Sequence, residues 1–290
     1  MPAIVFLNGQ FVAPEEAKVS LFDHGYLFGD GIFETLRAYD YQIFRLGKHV
    51  DRLFQSAQYF RIQIPTPKEG LRNLCNEALE KSRLQNAYLR ITVSRGVGGR
   101  GIDPEACKSP TISIIVKDVP LYPSDFYQSG IATKIVSVSK NNEDALSSRV
   151  KGCNYQNNIL AKIELNQESL MEGILLNARG AVAEGTVSNV FLVKSGKLLT
   201  PSLSCGCLDG ITRNAVIEIA RSRFGITVEE GELSRYDLYT AEECFFTNTI
   251  MEVMPVHSID GRQIGTVVPG DLTRRLTIGL RELIKQEGKK

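Results

Sequence analysis

The sequence predicts a mixed α/β protein, α+β in arrangement, built as two domains. Three observations carry this. At 290 residues the chain is longer than one modest hydrophobic core needs and suits two. Its apolar residues switch repeatedly between a period of two and a period of 3.6, the marks of strands and helices in alternation. The stretch Asp118-Val119-Pro120-Leu121-Tyr122-Pro123-Ser124 carries two prolines and reads as a linker. The expected division is a smaller N-terminal α/β domain over 1–118, a linker over 119–130 and a larger C-terminal domain over 131–290.

Asn8-Gly9, between the apolar runs Ile4 to Leu7 and Phe11-Val12, signals a hairpin. Leu46, Val50, Leu53, Phe54, Ala57 and Phe60 form a helical stripe over 46–60. A second helix is expected over about 68–84, with Leu71, Leu74, Cys75, Ala78 and Leu79 facing inward. From Ala87 to Ser94 the chain alternates: Ala87, Leu89, Ile91 and Val93 share one face, and Tyr88, Arg90, Thr92 and Ser94 share a polar, chemically rich one. Thr111 to Val116 is a further strand. Beyond the linker, strands are expected near 131–138, 173–176, 187–193, 197–199, 226–228 and 244–247. One helix is expected over 211–224, closed by Gly225, and another over about 271–285.

The bulk numbers exclude several functions. Hydrophobic residues make up 43% and charged residues 23%, the profile of a folded globular protein, and the formal net charge is +1. No strong field recruits nucleic acid or an acidic membrane, so any bound anion must be held by a local set of donors. Met1-Pro2-Ala3 runs straight into Ile4 with no signal-peptide pattern, and no segment approaches the roughly 18 apolar residues of a membrane span. A cytoplasmic location is expected. The six cysteines (75, 107, 153, 205, 207, 244) are scattered and read as reduced thiols. Cys205-Gly206-Cys207 has no second pair or nearby histidine to complete a metal site, so no metal is expected. The three histidines form no triad with a Gly-x-Ser-x-Gly elbow, which is absent. The glycine run over 96–101 lacks the Gly-Lys-Ser/Thr ending of a phosphate loop and reads as a flexible substrate-side loop.

Six short motifs follow one another along the chain. They are the segment Asp23 to Arg37, then His49-Val50-Asp51-Arg52-Leu53, then Lys151 to Asn158. Glu184-Gly185-Thr186-Val187-Ser188-Asn189, Gly210-Ile211-Thr212-Arg213 and Thr247-Asn248-Thr249 complete the set. Each is weak alone. In this order and spacing, over roughly residues 2–280, they resemble the class IV aminotransferases, the fold-type IV pyridoxal-phosphate enzymes. That family holds branched-chain aminotransferases, D-amino-acid aminotransferases and aminodeoxychorismate lyases.

The resemblance implies the fold-type IV fold, pyridoxal 5′-phosphate as cofactor, and a role for each matching residue. Lys151 matches the catalytic Schiff-base lysine, which needs a primary amine able to condense with an aldehyde and then move protons. By residue type alone it reads as a surface lysine. Glu184 matches the carboxylate facing the pyridine nitrogen, an ionised acid that keeps the ring nitrogen protonated; Asn189 is expected to order the same loop. Arg52, on the polar side of the first long helix, matches the phosphate-binding arginine, whose fork suits two oxygens. Its bland alternative is a solvated arginine paired with Asp51. The Ile211 and Thr212 amides open a helix, and such amides with the helix dipole bind anions without net protein charge. Thr249 resembles the remaining phosphate contact, and Tyr155 the tyrosine on the cofactor's ring oxygen. Phe33, Thr35, Arg37, Tyr88, Arg90, Arg100 and Ile250 match substrate-side positions.

The members of the family divide on small differences. Tyr88, Arg90 and Arg37 look like the substrate arrangement of branched-chain aminotransferases, yet those usually carry glycine where this chain has Thr35. Threonine there, with Ser94-Arg95-Gly96, Gly99-Arg100-Gly101 and the run Met251 to Pro255, looks like aminodeoxychorismate lyase, which would release pyruvate and give 4-aminobenzoate. Arg100 also matches the carboxylate-binding arginine of D-amino-acid aminotransferases, but Ile102 and Phe33 replace that group's histidine and tyrosine. The expected function is transamination of a branched-chain or hydrophobic L-amino acid with 2-oxoglutarate. A silent binding protein on the same fold is the reading from another class, and retention of Lys151, Glu184 and Arg52 argues against it. The resemblance also implies a homodimer or higher oligomer acting on small molecules, with cofactor between the two domains.

Overall fold

Turn residues, alternation and helical stripes resolve into two units in the computed structural model, which describes residues 3–99 and 101–288. The first unit comprises Met1–Pro120, Val150–Asn154 and Ile284–Lys290, and the second Leu121–Arg149 and Tyr155–Leu283.

The first unit is built on one antiparallel sheet. Its strands are β1 (Ile4–Leu7), β2 (Gln10–Val12), β3 (Gly31–Tyr39), β4 (Gln42–Ile43), β5 (Ala87–Ser94) and β6 (Thr111–Asp118). They lie in the order β2-β1-β6-β5-β3-β4. Asn8 and Gly9, with φ of 46° and 99°, make the turn between β1 and β2, as the dipeptide predicts. A short helix α1 (His24–Phe28) precedes β3, while α2 (Leu46–Phe60) and α3 (Lys68–Ser82) cover one face of the sheet. The expected stripe supplies the core: Val50 and Leu53 are fully buried, packed with Leu71, Ala78, Ile32, Leu36, Leu89, Ile91 and Val93. Period-two alternation in β3 and β5 therefore sends one set of side chains under the helices and leaves the other set on the opposite face.

The second unit holds a seven-stranded mixed sheet. Its elements are α4 (Ser124–Ser129), β7 (Ile131–Thr133), α5 (Gln156–Gln167), β8 (Ile174–Leu176), β9 (Val182–Gly185), β10 (Asn189–Lys194), β11 (Lys197–Pro201), α6 (Ile211–Ser222), β12 (Val228–Gly231), α7 (Arg235–Tyr239), β13 (Glu243–Asn248), β14 (Glu252–Ile259), β15 (Arg262–Gln263) and α8 (Asp271–Glu287), which belongs to this unit up to Leu283. The sheet order is β12-β11-β10-β13-β14-β15 with β7 parallel to β14, and β8 and β9 form a separate ladder. β10 and β13 read as continuous apolar runs because both faces are covered. Val190, Leu192 and Phe246 enter one core, and Phe191 stacks on Phe245, 5.1 Å between centroids, on the other side.

Three expectations require correction. The stretch 119–130 is not a plain linker, since α4 begins one residue after Pro123, a proline serving a helix start. The strand expected over 131–138 stops at Thr133; beyond it the chain runs beside β8 instead, with Val136 N–H donating to the Ile174 carbonyl and Lys140 N–H to the Leu176 carbonyl. Most consequentially, the segment carrying Lys151 does not belong with the C-terminal unit. β4 pairs with β3 only at Ala38 and Tyr39, which leaves the Gly31–Phe33 edge open. The segment around Gly152 fills it: Phe33 N–H donates to the Lys151 carbonyl at 3.0 Å and Cys153 N–H to the Gly31 carbonyl at 2.8 Å. Unpaired backbone groups on a buried strand edge attract such a partner wherever it lies in sequence.

Candidate functional site

The sequence-derived residues of the first unit gather around β3 and β5. On the sheet face away from α2 and α3, the register sets Phe33 opposite Thr92, Thr35 opposite Arg90 and Arg37 opposite Tyr88. Five separately predicted substrate-side residues (Phe33, Thr35, Arg37, Tyr88 and Arg90) thus form one contiguous patch. Arg90 lays its guanidinium over the Phe33 ring, 3.8 Å from the centroid, and donates from Nε to Thr92 Oγ1 at 3.1 Å. The half-buried Lys151 brings its Nζ to 4.5 Å from the same ring centroid. Arg37 lies over Tyr39 at 4.5 Å. An amine and a guanidinium therefore meet on one aromatic ring, whose face attracts cations. Arg100 lies outside the described residues.

Arg52 does not sit on a polar helix side as expected, and the bland alternative of a solvated arginine does not hold either. It is 8% exposed and turned toward the sheet, where Nε and Nη2 donate to Glu34 at 2.6 and 2.8 Å. Asp51, its partner in that alternative, pairs with Lys68 instead, at 2.7 Å. Glu34 occupies a core-facing position of β3 between Ile32 and Leu36, is fully buried, and also meets His49 Nδ1 at 2.8 Å. Burial alone would raise its pKa, but the Arg52 guanidinium and His49 outweigh it, and the value falls from 4.5 to about 2. Burial pushes His49 below its ordinary 6.5 against the pull of Glu34, with Arg52 and Lys151 adding to the push. The pair with Glu34 thus employs Nε and Nη2 of the Arg52 guanidinium.

In the second unit, Glu184 lies on β9 opposite Leu175 and is buried. Lys140 Nζ donates to its Oε1 at 2.5 Å, and Leu208 N–H to its Oε2 at 2.8 Å. Burial would lower the Lys140 pKa, but the Glu184 carboxylate holds it above the ordinary lysine value. Asn189 holds not the loop around Glu184, where it was expected to act, but the one around Leu208: its Nδ2 donates to the Leu208 carbonyl at 2.8 Å. That loop delivers the chain to Gly210, the N-cap of α6, where no side chain caps the helix. A Cβ on Gly210 would stand 2.0 Å from Asn189 Oδ1. The amides of Ile211 and Thr212 follow, their residues buried. Tyr155 is the N-cap of α5 and lies within electrostatic reach of Lys140. Thr249 and Ile250 form the turn between β13 and β14. Asn248 Oδ1 shapes it by accepting from the Ile250 and Met251 amides at 2.8 and 2.7 Å, and its Nδ2 donates to the Val187 carbonyl.

The motifs did not reveal several of these groups. Glu34 left a signal, a carboxylate among core-facing residues of a strand, where a charge persists only if paired. Lys140 left none, since Lys140-Asn141-Asn142-Glu143-Asp144 reads as polar loop. Glu172 was missed too: its buried carboxylate accepts from the amides of Gly173 at 2.9 Å, Thr186 at 2.7 Å and Val187 at 3.4 Å, and from the hydroxyls of Thr186 and Ser188, folding the loop after Glu184. The glycine run over 96–101 is anchored at its start rather than loose, with Gly96 accepting from His24 N–H and Gly98 N–H donating to Phe22. Among the described residues no group of histidine, cysteine or acidic side chains could hold a metal ion. No helix among them is long and apolar enough to cross a membrane.

The chain is similar to known proteins in sequence and in fold. The chain is 45% identical, over 94% of its length and 93% of the other's, to a Methanocaldococcus jannaschii protein provisionally named a branched-chain-amino-acid aminotransferase. It is 32% identical, over 97% of its length and 95% of the other's, to the aminodeoxychorismate lyase of Bacillus subtilis strain 168. The crystal structure of the branched-chain amino acid aminotransferase from Thermobaculum terrenum, in its PLP-bound holo-form, superposes with a TM-score of 0.88 at 30% identity, over 98% of this chain and 94% of that one. The family profile described as amino-transferase class IV matches residues 31–259. By motif order, fold and similarity alike, the chain belongs to the class IV aminotransferases.

Proposed function

We propose that this protein is a pyridoxal-phosphate-dependent aminotransferase that moves the amino group of a branched-chain L-amino acid to 2-oxoglutarate. The observation that carries the reading is the meeting of an amine and a guanidinium: Lys151 Nζ and Arg90 share the Phe33 ring at 4.5 and 3.8 Å. The donor set fits the cofactor. An uncapped helix start kept clear of a Cβ suits a phosphate, and a buried carboxylate beside an ammonium suits a basic ring nitrogen.

When bound, pyridoxal phosphate supplies an aldehyde for the amino group and a ring that draws electrons from the substrate Cα. In the proposed division of labour, Lys151 Nζ provides the resident amine and afterwards takes the proton from the substrate Cα. Glu184 keeps a proton on the ring nitrogen, and Tyr155 donates to the ring oxygen. The Ile211 and Thr212 amides, Thr249 and Arg52 hold the phosphate. Arg90, with Arg37 and Tyr88, orients the substrate carboxylate, and Phe33, Thr35 and Ile250 shape its surroundings. A homodimer belongs to the same proposal, supported by the exposed Phe22, Tyr26, Leu27 and Phe28. A cytoplasmic location is supported by six free cysteines.

Thr35 and the 32% identical lyase favour one second reading, elimination of pyruvate from aminodeoxychorismate. The test is direct. Protein loaded with pyridoxal phosphate, reduced with borohydride and digested, should carry the cofactor on Lys151, and Lys151→Ala should carry none there. With L-leucine and 2-oxoglutarate the wild type should form glutamate and the branched 2-oxo acid. No glutamate, together with pyruvate and 4-aminobenzoate from aminodeoxychorismate, would replace the transaminase by the lyase.

A further inference from the structure

We propose that Lys140 is a positioning residue whose ammonium, closed onto Glu184, keeps that carboxylate ionised and aimed for the cofactor's ring nitrogen. The inference rests on the reading of Glu184 given above and concerns a residue outside all six sequence motifs.

The backbone brings the two side chains together. Residues 134–140 run beside β8: Ile174 N–H donates to the Lys134 carbonyl, Val136 N–H to Ile174, and Lys140 N–H to Leu176 at 2.8 Å. β9 lies antiparallel on β8, with Glu184 opposite Leu175. The lysine and the glutamate thus flank the same short strand, and their heads close to 2.5 Å with side chains 11% and 8% exposed.

A merely structural pair does not explain this arrangement. The segment is already fastened by the backbone bonds above, by Lys134 to Glu164 and Glu168, and by Ser137 to Glu164. Those pairs lie nearer solvent. A buried ion pair, by contrast, gives up the hydration of two charges and often adds nothing to stability that an apolar pair of similar volume would not. The charge is better explained by what it does to Glu184.

Two effects follow. Lys140 fixes Oε1 and the Leu208 amide fixes Oε2, so the carboxylate plane is set from two directions while each oxygen keeps a second lone pair. An adjacent ammonium also favours the ionised acid. Without it, Oε1 would lose the ammonium that closes on it. The charged or titratable groups acting on Lys140 are Glu184, Tyr155 and Cys207, and burial keeps the Cys207 thiol neutral by pushing its pKa up to about 12. Tyr155 is the residue proposed for the ring oxygen.

The test uses the full chain loaded with pyridoxal phosphate isotope-labelled at its ring nitrogen. In wild type and in Lys140→Arg the ring-nitrogen NMR resonance should sit at the protonated position throughout the neutral pH range. In Lys140→Met it should move to the unprotonated position, and cofactor affinity should fall about 10- to 100-fold, the loss of one charged hydrogen bond. Glu184→Gln should show the same shift, and adding Lys140→Met to it should move the resonance no further. Lys140→Gln, which keeps a polar head without charge, serves if the methionine variant does not fold. Retention of a protonated ring and wild-type affinity in either uncharged variant overturns the proposal. A wild type that fixes no cofactor on Lys151 would instead overturn the cofactor reading, so the two failures are separable.

Discussion

Replacing Glu34 with glutamine tests whether a buried ion cluster holds α2 on the sheet of the first unit. The substitution keeps the side-chain shape and removes the charge that Arg52 meets at 2.6 and 2.8 Å and His49 at 2.8 Å. Breaking a buried pair by removing one partner costs about 3 to 5 kcal/mol, because the remaining charge stays buried and loses that partner's compensation. The titration of Glu34 leads to a similar figure. Its pKa stands at about 2 rather than 4.5, which at about 1.4 kcal/mol per pH unit corresponds to about 3 kcal/mol. The sign follows from linkage. A carboxyl with a depressed folded-state pKa contributes its stabilisation fully above about pH 4.5 and loses it as pH falls toward 2. His49, lowered below 6.5, acts in the same direction: the unfolded chain takes up its proton first, so stability declines as pH falls through 6.5. Urea unfolding across this pH range, with native-state hydrogen exchange at the α2 amides, reads both effects. Glu34→Gln should lose about 3 kcal/mol at pH 7 and show a shallower acid slope below pH 4.5 than wild type. A variant within about 1 kcal/mol of wild type at neutral pH, with an unchanged slope, would refute the cluster's role.

Two further perturbations probe the second unit. Gly210→Ala would set a methyl 2.0 Å from Asn189 Oδ1 and 3.1 Å from Arg213 Cβ; it should lower stability by about 1 to 3 kcal/mol and weaken cofactor uptake, read by thermal denaturation with and without pyridoxal phosphate, and an unchanged melting point and affinity would contradict it. Glu172→Gln replaces an acceptor of three amides and two hydroxyls by a group that is half donor. It should cost about 2 to 3 kcal/mol in urea unfolding, and a neutral result would mean the 186–188 loop does not depend on that carboxylate.

Much of the site was legible without coordinates, because its residues lie in elements with local rules. The alternation of β5 separated Leu89, Ile91 and Val93 from Tyr88, Arg90 and Thr92, and the structure keeps that division. The helix opened by Gly210 begins at Ile211 as read. The environment of Arg52 differs from the one its sequence position suggests. Periodicity assigned it to a polar face, and only the partner on β3 shows why a charge stands in the core. The assignment of Lys151 failed for a related reason. Sequence proximity linked it to the residues after it, whereas its backbone completes the open edge of a strand more than a hundred residues earlier.

The sequence by itself left β3, α4 and β14 unread, and determined the family and the elements with strong local pattern, such as β5, α2, α3 and α6. Those depend on residue type, on periods of 2 and 3.6, and on spacing within short segments. The tertiary structure alone decided which charges meet: Glu34 with Arg52, and Lys140 with Glu184. Such pairs form between segments that are distant along the chain, and their strength depends on how much water the surrounding core removes. Neither quantity is written in local pattern.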